Sequence, residues 1–160
     1  MALAALWSPA ALAEVRAIQC QIEAKIVEIT GIDVGDTFGL DWTVTNVTMP
    51  LDTGNVGGRD YATYNGGSMG LSLQINGAYH GELGVDPLTR VFDGIPDELG
   101  SDVLGTGNLV IQDQEVAGFG FQLIDNSGAV FNNVDIPPNL DIQDFDETIC
   151  FVNFFHTQTC

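Results

Sequence analysis

Residues 31–44 read Gly31-Ile-Asp-Val-Gly-Asp-Thr-Phe-Gly-Leu-Asp-Trp-Thr-Val44, and this stretch decides the fold class. Its first half is turn chemistry, because Gly31, Asp33, Gly35 and Asp36 either tolerate tight backbone conformations or hydrogen-bond their own main chain. From Phe38 onward the apolar residues fall on every second position. Phe38, Leu40, Trp42 and Val44 point one way, and Thr37, Asp41, Thr43 and Thr45 the other. A turn feeding a strand with one buried face is the repeating unit of a β-sandwich.

The same period recurs on both sides of this stretch. Ile18, Cys20, Ile22, Ala24 and Ile26 alternate with polar residues, and a change of phase at Val27 predicts a β-bulge or a strand that switches sheets. Met69, Leu71, Leu73 and Ile75 alternate up to Asn76-Gly77, a hairpin turn signal that returns the chain through Tyr79. Strands are also predicted over residues 108–112, over 117–125 with Phe119, Phe121 and Leu123 on the core face, and over 148–155. Residues 49–65 and 84–107 are rich in Gly, Pro and Asp and read as loops, as do Pro137-Pro138 and the acidic segment 139–146. The predicted fold is all-β: one antiparallel β-sandwich, jelly-roll-like, with long Gly/Asp-rich loops.

A chain of 160 residues holds one domain with a sizeable core. Four Lys and Arg against 22 Asp and Glu give a net charge of -18, which excludes binding to a nucleic-acid backbone, where Lys and Arg must displace counterions. Residues 1–13 carry no charge and end in Ala11-Leu12-Ala13, a small-x-small cleavage pattern, so they are expected to be a signal peptide preceding a single domain over 14–160. A basic n-region is missing, and the competing reading is a buried N-terminal helix interrupted by Pro9. No later run is long enough to span a bilayer. Cys20, Cys150 and Cys160 fit an exported chain with one disulfide and one thiol left over. A Cys20–Cys150 bridge closes a long loop, worth about 5 kcal/mol against about 3 kcal/mol for Cys150–Cys160, and the spacing leaves the pairing open.

These pieces resemble a group of secreted bacterial proteins sorted by exosortase, the PEP-CTERM proteins. The carriers are Gly31, Val34-Gly35-Asp36-Thr37-Phe38 and Gly39-Leu40-Asp41-Trp42, a Gly/Asp loop ending near Tyr61 or Tyr64, and the Met69-Gly70-Leu71-Ser72-Leu73 strand. Toward the end, residues 121–128 and 136–145 are similar to the group's Phe-x-Leu-x-Asp-x-Ser-Gly and Leu-Pro-x-x-Leu-Asp-Leu-x-x-Phe segments. The likeness spans most of residues 18–155 in short motifs. No Pro-Glu-Pro motif, hydrophobic helix or basic tail follows Cys160, so sorting and anchoring are not implied with it. The resemblance implies an exported β-sandwich associated with extracellular polymeric matrix.

Candidate chemistry is sparse. Asp52-Thr53-Gly54 matches the Asp-Thr-Gly of aspartic proteases, but such enzymes need a second carboxylate to share the proton, so the triplet reads as a turn and no enzymatic activity is expected. Ser68 has no Gly-x-Ser-x-Gly frame, and His80 and His156 stand in no metal-binding spacing. Asp135, Asp141, Asp144 and Asp146, with Glu147, could converge on Ca²⁺, although their spacing is not an EF-hand and aspartates also favour solvated turns. Tyr61 and Tyr64 are candidate sugar-stacking residues on the 49–65 loop and Asp60 a further candidate ligand-binding residue, while Trp42 belongs to the core. The leading expectation is a secreted, non-enzymatic cell-surface or extracellular-matrix component. The second is a carbohydrate-binding module, Ca²⁺-dependent or not, with extracellular polysaccharide or other surface proteins as partners.

Overall fold

A computed structural model describes residues 14–21, 32–44, 49–65, 69–82, 87–104, 109–111, 114–136 and 140–154. Two antiparallel sheets pack face to face as a β-sandwich. The smaller sheet has the order β1-β2-β5-β6, formed by β1 (Glu14–Gln21), β2 (Thr37–Val44), β5 (Met69–Ile75) and β6 (Ala78–Glu82). The larger has the order β11-β10-β8-β7-β4-β3, formed by β3 (Asp52–Val56), β4 (Arg59–Tyr64), β7 (Leu88–Asp93), β8 (Asp97–Leu104), β10 (Gln114–Asp125) and β11 (Glu147–Phe154), with the short β9 (Val110–Ile111) paired to β10. The chain crosses between sheets after β2, β4 and β6, laying down one hairpin at each visit before β7 to β11 complete the larger sheet.

The alternation that announced β2 places its core as predicted: Leu40 and Trp42 are buried, opposite Leu73 and Leu71 of β5. At the end of that hairpin Asn76 and Gly77 both have positive φ, 51° and 76°, the geometry of a type I′ turn. Asn76 is also tied back to β2, its Oδ1 accepting from the Thr37 amide at 3.0 Å. The larger sheet contributes Ala62, Tyr64, Val91, Leu99, Val103, Phe119, Phe121 and Leu123 to the core. Each large apolar side chain taken fully out of water contributes about 1.5–3 kcal/mol. At one end of the sandwich Phe131 and Phe145 meet with ring centroids 5.8 Å apart and cap the core.

Two buried aspartates fix the loops at that end. Asp97 and Asp125 are register partners on β8 and β10. Asp97 accepts from the amides of Gly94 at 2.8 Å and Phe131 at 2.7 Å. Asp125 accepts from the amides of Ser127, Ala129 and Val130 and from the Ser127 hydroxyl, so neither carboxylate is buried without partners.

Several sequence expectations need correction. The 49–65 segment is a hairpin, β3 and β4, turned by Gly57 and Gly58 at positive φ, and not a loop. Within it Asp52-Thr53-Gly54 lies in a strand and not in a turn. Residues 84–107, also read as loops, contain β7 and β8. The first strand begins at Glu14, earlier than the alternation from Ile18 suggested. The 139–146 segment holds a 3-10 turn, Ile142–Asp144. The signal-like residues 1–13, the Val27 phase change, Ser68, Pro137-Pro138 and His156 lie outside the described residues. Among the described residues no helix is long and apolar enough to cross a membrane.

Candidate functional site on the outer face of the larger sheet

Because side chains alternate along a strand, the residues that miss the core on β4, β7, β8, β10 and β11 share the opposite face of the larger sheet. Strand register sets them in rows. One row runs Gly54, Tyr61, Phe92, Glu98 and Ile124. The next runs Asp52, Thr63, Arg90, Gly100, Gln122 and Ile149, and a third runs Leu88, Asp102, Gly120 and Phe151. The face combines aromatic rings, paired charges and two neighbouring strands with glycine in place of a side chain.

Tyr61 is partly exposed, and its ring lies over Gly54, where an added Cβ would stand 2.7 Å from the ring carbon Cε1. Its hydroxyl donates to Asp52 at 2.9 Å. That hydrogen bond, with the charge of Asp52, raises the Tyr61 pKa, since a phenolate would lose the bond and face a carboxylate. The Phe92 ring lies 5.9 Å from the Tyr61 ring, and the Arg59 guanidinium sits over Phe92 at 4.8 Å. Arg59 also reaches Glu98 at 3.3 Å and the Pro96 carbonyl at 3.0 Å. Gln122 donates to the other oxygen of Glu98. Arg90 meets Asp102 at 3.4 Å, and burial raises the Asp102 pKa against the opposing pull of Arg90. The polar groups of the face are therefore held in fixed orientations by one another.

The residues singled out in the sequence are distributed unevenly over the molecule. Tyr61 is on this face. Asp60, its neighbour, points to the other side of β4, where it is exposed and accepts from the Asn55 side chain at 2.8 Å across the hairpin turn. Tyr64 is 3 % exposed and belongs to the core, its hydroxyl donating to the Val134 carbonyl at 2.9 Å; burial first and Asp135 second raise its pKa. Phe92, Arg59, Arg90, Glu98 and Gln122 were not anticipated. For Arg90 and Phe92 the signal is the Thr-Arg-Val-Phe alternation of residues 89–92, hidden within a segment dominated by Gly, Pro and Asp.

The acidic residues near the C-terminal end serve turns. Asp141 caps the 3-10 turn through the Gln143 amide at 3.0 Å, and Asp146 accepts from the Asn126 amide at 2.9 Å. Asp135 is exposed, its amide donating to Asn133. Asp125, Ser127, Leu140, Asp141 and Asp144 line an open hollow of about 420 Å³. Asp125 at its wall is held at a pKa of about 2 by the Ala129 amide first and then by Ser127. Among the described residues no group of three or more His, Cys, Asp or Glu side chains stands together as a metal site would require. Cys150 carries a disulfide, and the side chains of Cys20 and Cys160 are outside the described ones.

Compared with protein-family models, with curated proteins and with solved structures, the chain matches none.

Proposed function

We propose that the protein is an exported, non-enzymatic β-sandwich that serves as a cell-surface or extracellular-matrix component, acting by binding and not by turnover. The observation that supports this reading is how the carboxylates are used. Asp52 accepts from Tyr61, Asp60 from Asn55, Asp97 and Asp125 from loop amides, and Glu98 and Asp102 from arginines. General acid–base catalysis needs a carboxyl group free to exchange a proton with substrate in a cleft, and each of these is engaged in holding structure. The net charge of -18 fits a protein that stays soluble among anionic surfaces, and the signal-like residues 1–13 fit export.

A second reading, a carbohydrate-binding module, is favoured by one specific feature, the partly exposed Tyr61 ring lying along the sheet beside Phe92. Calcium dependence belongs to this reading only through the acidic residues 135–147.

Fractionation of source cells tests the proposal. The protein is expected in the medium or in the washed matrix fraction. Its confinement to the cytosol, or a purified catalytic activity abolished by a single carboxylate substitution such as Asp52→Asn, would overturn it.

A further inference from the structure

We propose that the outer face of the larger sheet, around Tyr61, Phe92 and the Arg59–Glu98 and Arg90–Asp102 pairs, is the binding surface for an uncharged polysaccharide chain. This inference rests on the reading of the protein as an exported surface or matrix component, and it names what that component holds.

Charge selects the class of ligand. The chain has only four Lys and Arg residues and a net charge of -18, and two of the four cations, Arg59 and Arg90, are on this one face. Each stands against a carboxylate, at 3.3 Å and 3.4 Å. An anionic polymer would approach a strongly acidic protein against its overall field and would find both arginines of the face already paired with carboxylates. A ligand without charge meets neither obstacle.

The shape and chemistry of the face select sugar. The Tyr61 ring rests with one side against Gly54 of the edge strand, which leaves its other side to receive the apolar C–H face of a pyranose. Beside it the guanidinium and carboxylate groups are already oriented by each other and by Gln122, and they retain donors and acceptors for ring hydroxyls. Binding therefore orders few side chains. Gly100 puts no side chain into the middle of the face, and the place a Cβ would take there meets nothing nearer than the Phe121 carbonyl oxygen at 3.4 Å, so a chain can lie close to the sheet. From β4 to β11 the face crosses four inter-strand spacings, roughly 19 Å at about 4.8 Å each, room for several sugar rings. An open surface of this length suits a polymer, whereas a single sugar would be enclosed more fully in a pocket.

Affinity electrophoresis of the full chain tests the proposal, with dextran, galactomannan or hydroxyethyl cellulose cast in native gels as uncharged probes and alginate as the anionic one. At least one uncharged probe is expected to retard the protein while alginate does not. Tyr61→Ala is expected to weaken that retardation about ten-fold or more, as loss of a central aromatic contact does, with Tyr61→Phe close to wild type. Thermal unfolding of each variant shows that it is folded. Arg90→Ala, on the same face and away from the ring, is expected to weaken retardation as well. No retardation by any uncharged probe, equal retardation by alginate, or wild-type affinity in both Tyr61→Ala and Arg90→Ala would overturn the proposal. If retardation fails while the protein still fractionates with the matrix, this inference fails alone. Confinement to the cytosol defeats the parent reading.

Discussion

The Trp42 indole of β2 stands edge-on to the Phe121 ring of β10, with centroids 5.5 Å apart and planes inclined by 67°, and so joins the two sheets through their largest buried side chains. Edge-to-face rings add about 0.5–1.5 kcal/mol to the effect of burial alone. Trp42→Ala is therefore expected to destabilise the chain by about 3–5 kcal/mol, and Phe121→Ala by a similar amount. Because the two share a contact, the double variant should lose less than the sum of the singles. Urea unfolding of the three variants measures this, and strict additivity would show that the rings do not support one another.

Two outward-facing glycines differ in what they permit. A Cβ at Gly120 would lie 2.5 Å from the Ser101 carbonyl oxygen and 2.8 Å from the Asp102 Cα, both backbone atoms of the paired strand. At Gly100 the nearest atom would be the Phe121 carbonyl oxygen at 3.4 Å. Gly120→Ala should cost about 1–3 kcal/mol through forced separation of β8 and β10, and Gly100→Ala less than about 1 kcal/mol. Chemical denaturation distinguishes the two, and equal effects would contradict the close approach of the strands at Gly120.

Acid sensitivity follows from Asp125. Its folded-state pKa is held at about 2, below the ordinary 3.8, chiefly by the Ala129 amide and the Ser127 hydroxyl. A depressed carboxylate contributes stability that is complete above its unfolded pKa and is lost as pH falls through the folded value. The contribution of Asp125 should therefore be whole above about pH 4 and disappear toward pH 2. Thermal melts from pH 2 to 6 should show a shallower acid limb in Asp125→Asn, together with lower stability at neutral pH. An unchanged limb would show that Asp125 does not carry the transition.

The Arg90–Asp102 pair makes the opposite kind of prediction. Burial raises the Asp102 pKa and Arg90 opposes it, with the arginine side chain 45 % exposed. Surface pairs of this kind are worth about 0–1 kcal/mol, so Arg90→Ala should change stability by no more than that at pH 7. Protonation of Asp102 removes its need for a partner, so the difference between variant and wild type should shrink as pH falls through the raised pKa. A difference that grows on acidification would contradict this.

The sandwich was legible in the sequence wherever one face of a strand was uniformly apolar. Leu40 and Trp42, Leu71 and Leu73, and Phe119, Phe121 and Leu123 fell where the alternation placed them. It was illegible where polar residues face inward. In β7 and β8 the buried positions are Thr89, Val91, Asp97, Leu99, Ser101 and Val103, half of them polar. The Thr89 and Ser101 hydroxyls satisfy each other at 2.9 Å, and Asp97 is satisfied by loop amides, so tertiary pairing and not hydrophobic period explains those strands. The edge strand β3 is exposed at all five positions and had no period to read. For the binding face, Tyr61 could be picked out as an aromatic among glycines. That Phe92, Arg90 and Glu98 share its face could not be read, because that face exists only once register brings β4, β7 and β8 together.

Amide chemical-shift mapping of the full chain decides whether binding occurs on the outer face of the larger sheet. Titration with a soluble oligosaccharide of whichever uncharged polysaccharide retards the protein is predicted to shift resonances clustered at Tyr61, Phe92, Gly100 and Gln122, four positions that the register of β4, β7, β8 and β10 sets on one face. Shifts confined to the hollow lined by Asp125, Asp141 and Asp144, or none anywhere, would contradict it.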